Sequence, residues 1–132
     1  MIRNSSLRLL RLLALLATFP CHAQHMNQPD SPCPARATAE LVNCLAKAKD
    51  QADGELNALY QKLRKRLDPA DTSRLLETQR VWIKYRDANC QAERELYGGG
   101  TGAQPAYLAC VEAMTRARTK ELRVTYVVKL KD

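Results

Sequence analysis

The stretch Gln79-Arg80-Val81-Trp82-Ile83-Lys84-Tyr85-Arg86-Asp87-Ala88-Asn89-Cys90 gathers the side chains of this chain best equipped for chemistry. Coiled as a helix, it sets Gln79, Trp82 and Arg86 on one face with Tyr85 and Cys90 beside them. An aromatic anchor, a planar cation and a cysteine then point roughly the same way. A guanidinium so placed can bind a carboxylate or lock a polar network. Turning over a substrate would also need a base. Beyond the hydrophobic start of the chain the only histidine is His25, in a proline-bearing lead-in that gives it no fixed position. Ser-His-Asp and Cys-His arrangements are therefore unsupported. No carboxylate pair stands out from the solvated helix charges. Gly98-Gly99-Gly100-Thr101-Gly102 lacks the Gly-Lys-Ser/Thr continuation and preceding strand of a phosphate loop, and reads as a flexible hairpin turn. No cofactor or metal is implied, and the chain reads as a non-enzyme.

Polar residues interrupt the apolar faces of three predicted helices: Asp53 and Asn57 on the first, Gln79, Arg86 and Asp87 on the second, Thr115 and Arg118 on the third. A buried guanidinium must find partners. These residues therefore either fix helix register through a shared network or form a recognition patch, with Trp82 and Tyr85 as anchors and Arg86 as the ionic contact. Helix-spaced aromatics usually make core, which favours the network. Lys62, Arg64, Lys65 and Arg66 form a basic run that suits a helix C-terminus and a wet face better than an anion site.

The elements that position these groups are legible from the N-terminus onward. Residues 1–23 have a basic start at Arg3, Arg8 and Arg11, a short apolar run, and Pro20-Cys21-His22-Ala23 before a cleavage point. The run is too short to anchor in a bilayer. Phe19 and Pro20 fit a lipobox around Cys21 poorly, so a cleaved signal peptide and a periplasmic or secreted product without a stable membrane anchor are expected. The remaining 109 residues suffice for one domain. They carry 18 Lys and Arg against 14 Asp and Glu, a mild net charge of +4. The charges are interspersed along the sequence, which gives no support to nucleic-acid binding.

Four cysteines remain: Cys33, Cys44, Cys90 and Cys110. No C-x-x-C knuckle supports zinc, so two disulfides are expected in an oxidising compartment. Four cysteines allow three connectivities; 33–44 with 90–110 is favoured. Cys90 and Cys110 fall at similar depths, roughly 10 and 8 Å, on either side of the predicted hairpin turn.

Residues 24–35 should be an extended lead-in, ordered where Cys33 ties it down. Leu41, Leu45, Ala48, Ala52, Leu56, Leu59, Leu63 and Leu67 then make one unbroken helical stripe across Gly54, a helix long enough for an end to protrude or pair with another chain. Asp68-Pro69 supplies a cap and a first-turn proline for a second helix to about Tyr97, with Leu75, Gln79, Trp82, Arg86, Cys90 and Leu96 inward. After the glycines, Pro105 opens a third helix, and the domain runs from residue 36 to 125. Residues 126–132 are a tail without firm structure. The fold class is all-α: a small disulfide-stapled antiparallel bundle of three main helices, the first one long.

These residues also resemble a known family. Asp53-Gly54-Glu55-Leu56-Asn57-Ala58-Leu59-Tyr60 is similar to its D-x-x-L-N-x-x-Y helix, and Gln79 to Cys90 to its Q-R-A-W-x-x-Y-R-D-x-x-C. Gly99-Gly100-Thr101, Cys110 and Thr115 to Leu122 resemble its G-G-[ST], C and T-x-x-R-x-x-x-L. Together they resemble the LprI N-terminal-domain family of exported bacterial proteins, from about Cys33 to Leu122. The resemblance implies a small cysteine-stapled helical envelope protein, and the family's name implies inhibition of a lysozyme. A net positive chain would meet the strongly basic animal lysozymes with like charge unless a local acidic patch compensates. The alternative is a non-catalytic envelope module, pairing with another envelope protein or with itself through helix–helix contacts.

Overall fold

A computed structural model describes residues 25–34 and 37–131; the expected signal peptide lies outside them. Three long helices, α1 (Thr38–Arg64), α2 (Pro69–Glu95) and α3 (Ala103–Thr125), are followed by a single turn, α4 (Val127–Leu130), and preceded by a 3-10 turn at His25–Asn27. The chain is all-helical, and among the described residues no strand occurs.

The expected stripe makes α1 continuous through Gly54 and buries Leu45, Ala52, Leu56, Leu59 and Leu63. Its exposed positions are polar or small: Asn43, Lys47, Asp50, Gly54, Asn57 and Gln61 all face water. The turn to α2 is built as its residues require. The Asp68 side chain accepts a hydrogen bond from the Asp71 backbone N–H at 2.8 Å, and Pro69 occupies the first helical position, where no N–H is needed. That backbone donor holds the Asp68 carboxyl below its ordinary range.

The three helices run up, down and up. Leu63 of α1, Leu75 of α2 and Leu122 of α3 share a cluster at one end, with Leu56 and Leu59. Near the other end Leu45 of α1 meets Leu108 and Ala109 of α3. Between α2 and α3, Cys90 and Cys110 pack with Val111. Helix α3 is the common partner. Ala103, Ala106, Leu108, Ala109, Cys110, Val111 and Glu112 are all buried, so its first half is enclosed on most sides, with Gln104 left exposed. Small side chains there let neighbouring backbones come close. The disulfides are Cys33–Cys44 and Cys90–Cys110, with Cα–Cα distances of 6.0 and 5.4 Å.

Three details depart from the sequence reading. The lead-in is not simply extended and held by Cys33. Its 3-10 turn packs on α3, and His25 and Asp30 are both bonded to the bundle. Leu96 is 74% exposed rather than inward, because α2 ends at Glu95 and the chain turns there. The tail folds as α4 and seats Leu130 against the cluster around Leu63 and Leu122.

Removing the buried Cys90–Cys110 crosslink frees a loop that spans the glycine turn. The double variant Cys90→Ala, Cys110→Ala should lose about 3 kcal/mol in urea unfolding, with the helical spectrum retained at low denaturant.

Candidate functional site

The central motif of α2 meets α1 and α3 through Arg86. Its side chain is only 15% exposed. Nη1 donates to Thr115 Oγ1 of α3 at 3.2 Å and lies 3.5 Å from Asp53 Oδ1 of α1. Nε and Nη2 both reach Asp87 Oδ1, at 2.9 and 2.8 Å. Asp53 is shared with Lys49, whose Nζ lies 3.0 Å from its other oxygen. One turn away, Arg118 of α3 donates from Nε to Gln79 Oε1 at 2.7 Å and pairs with Glu121 at 2.9 Å. Trp82 lies between the two guanidiniums, its ring 5.1 Å from Arg86 and 5.8 Å from Arg118. Each such contact is worth about 0.5–2 kcal/mol, depending on how dry it is.

The geometry thus brings together Asp53, Gln79, Trp82, Arg86, Asp87, Thr115 and Arg118. It leaves out others named from the sequence. Asn57 is exposed on α1, and Tyr85 is 61% exposed on the outer flank of α2. Tyr60 packs on the leucine cluster under Arg64, 5.8 Å from its ring. Gly99 and Gly100 lie in the α2–α3 turn, at the opposite end of the bundle from that cluster. Chemically, the assembled group is an ion-paired, hydrogen-bonded interior. It presents no nucleophile beside a base.

A second polar cluster pins the lead-in. The buried Glu93 carboxylate accepts the His25 backbone N–H at 2.8 Å, and its other oxygen contacts His25 Nδ1 at 2.5 Å. Arg116 bridges Asp30 and the buried Glu112, both at 2.8 Å. The Arg116 guanidinium holds the Asp30 carboxyl below its ordinary value. Sequence reasoning missed Glu93, Glu112, Arg116 and a seated His25. Glu93 did carry a signal, since it continues the inward phase of Gln79, Arg86 and Cys90. Atoms of His25, Glu93 and Cys110 lie within 4.8 Å of one another, but the Cys110 sulfur is committed to its disulfide and supplies no thiolate ligand.

The α2–α3 turn is shaped by its glycines. Gly98 and Gly99 have φ of 54° and 81°, conformations that L side chains rarely adopt. A Cβ on Gly102 would sit 2.4 Å from the half-buried Tyr97 ring, so that ring packs flat on the backbone of the turn. Hydrogen bonds from Gly100 N–H to Tyr97 O and from Ala103 N–H to Gly100 O, 2.8 and 3.0 Å, close it. A cleft of about 290 Å³ beside it is lined by Gln91, Arg94, Glu95, Gly99, Thr101 and Gln104, among others.

Charge is divided between the ends, although it is interspersed in sequence. Residues 60–74 and 118–131, which meet at the leucine-cluster end, carry ten Lys and Arg against three Asp and Glu. Residues 25–34, 37–53 and 86–116, toward the glycine-turn end, carry eight Asp and Glu against five Lys and Arg.

Two outcomes follow from these clusters. Arg86→Lys should cost about 1–2 kcal/mol and Arg86→Met about 2–3 kcal/mol in chemical denaturation, since an ammonium cannot span Asp53, Thr115 and Asp87 at once. Asp30 has a lowered carboxyl, so its contribution is complete above the ordinary value of 3.8 and is lost as pH falls through the lower folded value. Amide protection of residues 25–34, taken relative to intrinsic exchange at each pH, should therefore fall below about pH 4, and Asp30→Asn should remove that pH dependence.

The family described as lysozyme inhibitor LprI matches residues 30–122, a span that holds both disulfides, the Arg86 network and the glycine turn. The chain is also similar to R02472, an uncharacterized protein of Rhizobium meliloti (strain 1021). The two are 32% identical over 125 residues, covering 84% of this chain and 88% of that protein. No solved structure matches it. On the strength of the match across its helical core, this chain belongs to the LprI family of lysozyme inhibitors.

Proposed function

We propose that this protein is a non-catalytic, exported inhibitor of a peptidoglycan-cleaving lysozyme, and that it acts through the α2–α3 hairpin tip. The observation that carries this reading is the tip itself. An exposed turn, closed by its own hydrogen bonds, packed on Tyr97 and carried on helices crosslinked by Cys90–Cys110, is formed before it meets a partner. A preformed loop loses little conformational entropy on insertion into an enzyme cleft, which favours tight binding over a small area. Leu96, Gly98, Gly99, Gly100, Thr101 and Gln104 offer an exposed rim with one large apolar side chain.

Electrostatics supports the same end. The net positive charge that would oppose a basic lysozyme resides at the far end of the bundle, and the tip end is mildly acidic. Approach tip-first is therefore the favourable orientation, and it should accelerate encounter at low salt. Two disulfides and the family fit an exported protein, and among the described residues no helix is long and apolar enough to cross a membrane. The Arg86 network takes the role of scaffold in this reading, since it fixes α2 against α3 and so aims the tip. The polar outer face of α1 gives self-pairing along that helix little support.

The test is residual activity of lysozymes from several classes with oxidised mature protein in excess. Inhibition of at least one class is expected, weakening as salt rises from 50 to 300 mM. Leu96→Lys with Thr101→Lys should weaken it about tenfold or more without a change in thermal midpoint. Full activity of every lysozyme at large excess would overturn the proposal.

A further inference from the structure

The basic end of the bundle carries a second surface that the tip does not use. The run Lys62, Arg64, Lys65 and Arg66 closes α1, and all four are exposed. The chain's C-terminal segment lies directly on it: Arg66 Nη1 donates to the backbone carbonyls of Lys129 and Lys131 at 3.2 and 3.1 Å. Leu130 is seated in the core, which fixes the orientation of α4. Lys129, Lys131 and Arg123 therefore join the α1 run in one patch. In the same segment Val124, near the end of α3, and Val127 and Val128, on α4, are 75%, 47% and 71% exposed.

Exposed β-branched side chains interleaved in sequence with Arg123, Lys129 and Lys131 have no solvent reason to be there. One such residue is ordinary; three within five positions, where α3 gives way to α4, make a cluster. A helix-dipole explanation accounts for basic residues at the end of α1. It does not account for Lys129 and Lys131 on a separate turn, nor for the valines. From the juxtaposition of seven cations with the exposed valines of the α3–α4 junction, we propose that this end of the protein is a peripheral docking surface for an anionic phospholipid bilayer. Lysine and arginine near such a surface contribute about 1 kcal/mol each, and shallow insertion of the valines adds an apolar term that a soluble polyanion would not use. The binding is reversible and interfacial, without a spanning segment. Docked in this way, the glycine turn points away from the membrane, because α3 runs from the turn to the basic end. The proposal does not depend on lysozyme inhibition.

The experiment is co-sedimentation of the mature protein, residues 24–132, with vesicles of 30% phosphatidylglycerol in phosphatidylcholine, and with phosphatidylcholine alone. Binding to the anionic vesicles only is expected, falling steeply between 50 and 300 mM salt. Arg64→Gln, Lys65→Gln and Lys131→Gln together should reduce partitioning about a hundredfold, at roughly fivefold per cation. Val124→Ser, Val127→Ser and Val128→Ser together should reduce it severalfold while leaving binding to heparin unchanged. All six positions are exposed, so unchanged helical spectra are expected in both variants. No binding to anionic vesicles at 50 mM salt would overturn the proposal. So would full vesicle binding by the valine variant, which would make the patch a site for soluble polyanions. Lysozyme inhibition measured without vesicles reports separately on the tip.

Discussion

Arg86 needs acceptors from two other helices at once, and the bundle is arranged so that it gets them. Its guanidinium sits largely out of water, where an unpaired cation would cost several kcal/mol. Asp53 comes from α1, Thr115 from α3 and Asp87 from its own helix. Sliding any helix by one residue would break at least one of these bonds and leave a buried charge short of a partner. Leucine clusters cannot discriminate in this way, since one Leu fits against another in several registers. The apolar stripe drives the helices together; the fork of Arg86 decides where they stop. Trp82, between Arg86 and Arg118, ties that decision to Gln79 one turn along.

With register fixed in the middle, each end can be specialised. At the glycine-turn end the Cys90–Cys110 bridge and the packed lead-in hold α3 on several sides, so the turn is carried on a rigid base. At the other end α1 finishes in four cations, where the helix dipole favours them, and α4 is drawn over the run by Arg66. Positive charge collects where the helix C-termini of α1 and α3 lie together. Parallel α1 and α3 make that coincidence possible: both negative dipole ends point the same way.

The existence of the three helices, the Asp68-Pro69 start of α2 and both crosslinks were legible because they depend on local rules, whereas α1 and α2 end at Arg64 and Glu95, short of the expected Leu67 and Tyr97. The Leu41–Leu67 stripe, Asp68-Pro69 and the glycine cluster each act within a few residues. The Arg86 network was legible as a set of candidates, since a guanidinium and an amide in the inward phase of α2 demand partners. Which candidates join it was not, because Asn57 and Tyr85 share the helical phase only approximately and end on outer flanks. The lead-in was misread for a different reason. Prolines and low periodicity predict no intrinsic order, and the order it has comes from Glu93 and Arg116, more than 60 residues away in sequence. Charge polarity was hidden in the same way. Interspersed charges along the chain become segregated only once α1 and α3 are seen to run parallel.

The two proposed surfaces, at opposite ends of a stiff rod, constrain each other. Helix α3 spans 23 residues, or roughly 35 Å at 1.5 Å per residue, and joins the tip to the basic end. A protein docked by its basic end would hold the glycine turn about that far from the lipid surface, and a mildly acidic tip would be repelled by the same anionic lipids that attract the other end. On these two proposals the charge division would do two things with one distribution: orient the molecule on a membrane, and leave exposed the end suited to a basic enzyme. A uniformly basic bundle would bind lipid in any orientation and bury its tip as often as present it. Orientation, more than affinity, is what segregating the charges would supply.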